Sequence, residues 1–233
     1  MVSAASGTQV RSDRAGRAGS ISGVLFDHDG TLVDSLAMVV AATNQVLRDH
    51  GRPTVPADDI IAAMVYPTNE RMARHAAVSD LALRRRLAGD FVRAARASDP
   101  ALAQPYPGVS ALLQALHTRG VAMAVVSNND GVFVRRVMAA HGLASAFVCV
   151  YGEEDMPSPK PDPRGLVGAA AAMARAAGDC LYVGDSGGDA QAAHAAGMRA
   201  VGVTWGIHTR AQLMEMGFDW LIDRPDELLG LVG

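Results

Sequence analysis

Cysteine is nearly missing from this 233-residue chain, which has only Cys149 and Cys180. Each lies in an apolar run, "AFVCVYG" and "CLYVGD", which reads as buried strand in a reduced compartment rather than as a disulfide or a metal pair. An excess of either charge is also missing. The 21 Lys and Arg residues stand against 24 Asp and Glu, for a formal net charge of −3, without the basic surplus of a nucleic-acid binder. The densest basic cluster, Arg84-Arg85-Arg86, reads as a solvated helix face. No segment approaches the roughly 18 apolar residues needed to span a membrane. The first twenty residues are rich in Ser, Gly, Ala and Arg and lack the continuous hydrophobic stretch of a secretory signal. Residues 1–20 are therefore expected to form a flexible tail, and the rest a soluble, cytoplasmic protein.

Short apolar runs ending in polar residues then recur along the chain: 22–27, 121–127, 147–151, 179–185, 198–203 and 218–222. They are continuous rather than alternating, as parallel strands covered on both faces require. Ala-rich helical stretches separate them at 108–119, 130–141, 163–177, 188–196 and 209–216, several closing on a Gly suited to a left-handed cap. Strands alternating with helices of this length predict an α/β protein with a doubly wound parallel sheet. One interval breaks the rhythm. From 36 to 106 only helical periodicity is visible, at 35–50, 57–64, 69–77 and 80–97, which predicts an all-α domain inserted into a core of 21–35 and 107–233. Emerging after the first strand, it would rise where open α/β sheets bind ligands, as a candidate lid.

Four motifs carry chemistry. In "VLFDHDGTLVDS" Asp27 ends a strand and Asp29 follows two residues later, so one carboxylate can serve as nucleophile and the other as proton carrier. Gly30 permits a tight turn and close backbone approach. In "AVVSNND" Ser127 and Asn128 end another strand and can donate to a phosphoryl oxygen. In "PSPKPDP" Lys160 is aimed by the stiff flanking prolines, Pro159 and Pro161. In "LYVGDSGGDAQ" Asp185 ends a strand and Asp189 opens a helix. Asp27 with Asp185 offers the hard oxygen ligands that Mg²⁺ takes beside substrate phosphate. Each motif alone could be an ordinary turn or surface loop. All four fall at the carboxyl ends of expected strands or in the loops after them, so a parallel sheet gathers them on one rim.

Taken together, Asp27-His28-Asp29-Gly30-Thr31, Ser127, Lys160 and Asp185 with Asp189 resemble the haloacid dehalogenase superfamily, over roughly residues 21–229. The C-terminal stretch "AVGVTWGIHTRAQLMEMGFDWLIDRPDELL" is similar to the phosphoglycolate-phosphatase branch, and the insertion looks like that superfamily's helical cap. The resemblance implies an HAD-like Rossmannoid core and a phosphoric monoester hydrolase. In it Asp27 attacks phosphorus while Asp29 serves as acid and base. Mg²⁺ is held by the Asp27 and Asp185 side chains and the Asp29 carbonyl, and Asp189 orients Lys160 or a metal-bound water. Gly30 and Thr31 join Ser127, Asn128 and Lys160 as candidate phosphate-binding residues. Asp29 argues against a dehalogenase, whose halide needs no proton, and a cap without lysine argues against a phosphonatase. A phosphomutase of the β-phosphoglucomutase kind, or a non-catalytic phosphate-binding module, stays open as an alternative. Strand alternation points His28 away from both acids and gives it a packing role. Specificity is expected in the cap, with Tyr66, Asn69, Arg71 and Arg74 as candidates to touch the leaving group. The expected partner is a small phosphorylated metabolite, with no nucleic acid or membrane, and the protein is expected to be a monomer or homodimer.

Overall fold

The computed structural model describes residues 8–9 and 21–232. Seven strands form one sheet: β1 (Thr8–Gln9), β2 (Gly23–Phe26), β3 (Ala122–Val126), β4 (Cys149–Tyr151), β5 (Cys180–Gly184), β6 (Arg199–Val203) and β7 (Trp220–Ile222). Their spatial order is β1-β7-β6-β5-β2-β3-β4. β2 to β7 run parallel, whereas β1 pairs antiparallel with β7, Thr8 facing Leu221 and Gln9 facing Trp220. The tail expected at 1–20 falls outside the described residues except at Thr8–Gln9, which carry this edge strand rather than a loose coil. No described helix is long and apolar enough to cross a membrane.

The chain divides into two compact units, one of residues 1–34 and 105–233 and the other of Ser35–Gln104. In the first, β2 is buried along its whole length. Its run of Val24, Leu25 and Phe26 has no polar alternation because neighbouring layers cover both faces. Tyr182, Leu25, Leu166, Ala169 and Phe218 belong to one buried cluster of this unit, and each large apolar side chain so buried is worth roughly 1.5–3 kcal/mol. Cys180 is fully buried in that cluster, but Cys149 is only half-buried. The expectation of two buried cysteines fails at Cys149 because β4 is an edge strand.

Register sets the site. Phe26 lies opposite Val125 on one side and Val183 on the other, so the carboxyl ends of β2, β3 and β5 are level. Strand order runs outward from β2 in both directions, which places the topological switch point, the ordinary ligand-binding crevice of such sheets, at the end of β2.

The second unit is helical: α1 (Leu36–Asp49), α2 (Ala57–Ala62), α3 (Thr68–His75) and α4 (Leu81–Ala97). α4 packs on both α1 and α3, burying Val46, Leu47, Met72, Leu87 and Phe91. Asp80 caps α4 by accepting from Leu83 N–H at 2.8 Å, which satisfies one donor left over at the helix start. Arg84, Arg85 and Arg86 sit on the exposed or half-exposed side of α4.

Candidate active site

β2 ends at Phe26, yet the Asp27 N–H still donates to Val183 O at 2.8 Å. The ladder thus holds Asp27 to the rim while its carboxylate leaves the sheet. Lys160 reaches it from the loop before the helix Arg164–Ala172. Its ammonium donates to Asp27 Oδ1, Asp189 Oδ1 and Tyr182 Oη, each at 2.7 Å, which uses all three N–H donors. It is the only lysine in the chain and only 8% exposed. Burial works against its charge, but the Asp189 and Asp27 carboxylates outweigh it and hold the ammonium's pKa well above the ordinary lysine value. Burial pushes the Asp27 carboxyl up to about 6 against the pull of Lys160, with Asp189 adding to the rise. Burial, then Asp189 and Asp27, push Asp185 up as well.

Three carboxylates crowded beside one ammonium leave an excess of negative charge. The ligand atoms of Asp27, Asp185 and Asp189 lie within 4.8 Å of one another, an all-oxygen donor set that suits Mg²⁺. Within it Asp189 is already occupied, Oδ1 by Lys160 and Oδ2 by Ser186 N–H at 3.0 Å and Ser186 Oγ at 2.7 Å. Asp27 and Asp185 are therefore the carboxylates left to face a cation. Without a cation, stability should fall as pH rises from the ordinary carboxyl range to about 6, because Asp27 holds its proton more tightly folded than unfolded. Ligand carboxylates must also shed their protons before binding. Mg²⁺ is thus expected to raise the melting temperature more at about pH 8 than at about pH 5. Equal shifts in calorimetric scans would remove these carboxylates as ligands.

The remaining expected residues divide. Ser127, only 2% exposed, follows β3, and its hydroxyl accepts from Asn129 N–H at 3.1 Å, keeping its own proton for an acceptor. Asn128 spends one amide donor within the protein. It clamps the Lys160 backbone, donating to Lys160 O at 3.0 Å and accepting from Lys160 N–H at 2.7 Å, so it braces Lys160 with one of its two amide donors. The assignment of Gly30 as a phosphate donor is corrected: its N–H goes to Val33 O at 2.9 Å, and its contribution is the left-handed turn at φ +76°. Thr31 is buried, with its carbonyl accepting from Trp205 Nε1 at 3.0 Å and its hydroxyl without a hydrogen-bond partner. Asp29 is half-buried, with Oδ2 accepting from Asn129 Nδ2 at 2.9 Å.

Sequence reasoning missed two contributors. One is Asn129. The other is the loop after β6, where His208 Nδ1 meets Asp185 O at 3.0 Å and Ile207 N–H supports the Asp185 carboxylate. A Cβ on Gly206 would lie 2.5 Å from Asp185 Oδ2 and 2.8 Å from Gly30 O, closer than real Cβ contacts come. Gly206→Ala is expected to weaken Mg²⁺ binding by about tenfold or more, since groups supporting metal ligands carry effects of that size. Isothermal titration that finds unchanged affinity would contradict the cradle.

In the helical unit, Arg74 donates to Glu70 Oε1 at 2.7 Å and lies 3.8 Å over the Tyr66 ring. Asn69 Oδ1 accepts from Glu70 N–H at 2.8 Å. Arg71 is buried and stacks over Phe91 at 4.8 Å, its Nε without a hydrogen-bond partner. Burial lowers its pKa.

The parallel α/β sheet, with acid, hydroxyl, lysine and acid on one rim, is of the Rossmann-like class. The model of the haloacid dehalogenase-like hydrolases matches residues 24–203, and the chain belongs to that family. It is 33% identical over 215 residues to a phosphoglycolate phosphatase of Synechococcus elongatus, covering 90% of this chain and 96% of that one. It is 30% identical over 203 residues to a phosphoglycolate phosphatase of Xylella fastidiosa, covering 87% and 89%. In fold it is similar to the crystal structure of a predicted phosphoglycolate phosphatase from Haemophilus somnus 129PT, with a TM-score of 0.80 at 24% identity over 92% of this chain and 99% of that one.

Proposed function

We propose that the protein is a Mg²⁺-dependent phosphatase that hydrolyses a small phosphorylated metabolite, of phosphoglycolate or sugar-phosphate type, through an aspartyl-phosphate on Asp27. It is a phosphatase, a hydrolase of phosphoric monoesters. The observation that carries the mechanism is the Lys160 ammonium held against Asp27 Oδ1 at 2.7 Å, with a ligand oxygen of Asp185 within 4.8 Å of one on Asp27. Phosphoryl transfer asks mainly for positioning and for cations around spread negative charge, and this rim offers both.

The Asp27 carboxylate attacks phosphorus as the bond to the leaving oxygen breaks, and Asp29 delivers its proton to that oxygen. Asp29 then takes a proton from water, whose oxygen attacks phosphorus and frees Asp27. Ser127 Oγ–H donates to the transferring phosphoryl oxygens, the Lys160 ammonium sets its charge beside them, and Asp189 keeps Lys160 in line. Asp27, Asp185 and the Asp29 carbonyl would hold Mg²⁺, which would supply the remaining positive charge when bound. The helical unit acts as a cap that reads the leaving group, with Tyr66, Asn69, Arg71 and Arg74 as its discriminating residues. Arg71 is the strongest of these, because Arg74 already has Glu70 as its counter-ion. The enzyme works in the cytoplasm as a monomer or homodimer.

A panel of phosphate esters assayed with and without Mg²⁺ tests this reading. Phosphate release that requires the metal is expected. Interconversion of sugar phosphates with little net release would favour a mutase, and calorimetric binding without turnover would favour a non-catalytic module. Either result would overturn the proposal.

A further inference from the structure

His28 poses a puzzle of burial. It is fully buried, yet neither ring nitrogen has a hydrogen-bond partner of good geometry. Such a group carries an uncompensated desolvation cost, so its place calls for a reason. A packing role on the strand does not supply one, because β2 ends at Phe26 and alternation no longer governs residue 28. The chain turns instead, with Leu32 and Val33 N–H both donating to His28 O at 3.0 Å. This leaves the imidazole edge-on to Phe133, ring centroids 6.1 Å apart, with Nδ1 3.2 Å from Asp29 Oδ2.

The same carboxylate oxygen takes Asn129 Nδ2 at 2.9 Å. Asn129 is itself held at every polar group. Its N–H meets Ser127 Oγ, its Oδ1 accepts from Asp130 N–H at 2.8 Å, and its carbonyl accepts from Glu153 N–H at 2.9 Å. It is therefore a fixed donor rather than a mobile surface amide. It also spans the hydroxyl that would grip the phosphoryl group and the carboxylate that would move the proton.

Resting on the phosphatase reading above, the geometry points to Asn129 and His28 as positioning residues for Asp29. They converge on Oδ2 and set the orientation of the carboxylate toward the leaving oxygen. The pair acts through Asp29 and touches no reacting atom itself. Its effect is thus confined to proton delivery, and its weight depends on how much the leaving group needs a proton. An alkyl alkoxide needs one to depart, whereas nitrophenolate leaves readily without it.

The test compares kcat/KM, which reports events up to transfer onto Asp27, for an alkyl phosphate and for p-nitrophenyl phosphate. Asn129→Ala and His28→Leu are each expected to lower the alkyl value by about 10- to 100-fold, a part of the roughly 10²- to 10⁴-fold that general-acid catalysis contributes as a whole, and the nitrophenyl value far less. His28→Gln, which keeps an N–H, should recover part of the alkyl loss. A purely structural role would lower both esters in step and show no such rescue. Parallel losses in variants that melt like the wild type, or no loss on either ester, would overturn the inference while leaving the phosphatase reading intact. A wild-type enzyme that turned over neither ester with Mg²⁺ would instead overturn the phosphatase reading and this inference with it.

Discussion

Asp27→Asn is expected to lower turnover by on the order of 10⁴-fold or more, as removal of a covalent nucleophile does elsewhere, without unfolding the protein. The amide copies the carboxylate in shape, so the packing at the end of β2 persists. It cannot attack phosphorus, and no acid-stable phosphoryl group should remain on the protein after quenching with labelled substrate. Stability should change little. Burial already raises the Asp27 carboxyl to about 6, so replacing a strained charge with a neutral group offsets the lost bond to Lys160, which keeps Asp189 and Tyr182. Residual turnover above about one part in a hundred, far more than nucleophile loss leaves elsewhere, would exclude Asp27 as the nucleophile.

Lys160→Met is expected to fail in a different way, losing fold and activity together. Removing the ammonium leaves Asp27 and Asp189 facing one another in a buried site, and breaking a buried pair from one side costs about 3–5 kcal/mol. Turnover should drop by roughly 10²- to 10³-fold, the scale seen when one donor to developing charge is removed. Lys160→Arg is not expected to rescue it. A planar fork cannot reproduce three bonds of 2.7 Å converging on one nitrogen. Urea melts with the activity assay separate the two losses. A variant as stable as the wild type would mean that Lys160 does not hold the acid cluster together.

Much of the core was legible in the chain because its information is local. Continuous apolar runs such as Val24–Phe26 and Leu181–Val183 become strands buried on both faces, and Asp27, Ser127 and Asp185 each follow directly on the strand end, with Lys160 in the loop after Tyr151. What escaped depends on contacts made across long stretches of sequence. Asn129 meets Asp29 from 100 residues away, and the loop of Trp205 and His208 reaches Thr31 and Asp185. No periodicity encodes those meetings. Asn128 and Asn129 are adjacent and chemically alike, and only the path of the chain after β3 turns one toward the Lys160 backbone and the other toward Asp29. The direction of His28 was misread, since alternation was extended two residues past the end of the strand and Nδ1 lies 3.2 Å from Asp29 Oδ2, while its packing shows in full burial against Phe133. The antiparallel β1 had no signal at all, since two polar residues in a low-complexity stretch do not look like a strand.

The solitary ε-amino group has a practical corollary. Acetylation, carbamylation, ubiquitin conjugation and amine-reactive dyes all seek an accessible primary amine, and apart from its amino terminus this polypeptide keeps its one amine locked between two acids. Its surface cations are all guanidinium groups, so reagents that decorate most proteins at random would leave this one untouched outside the terminus, and any adduct on Lys160 would report that the acid cluster around it had opened.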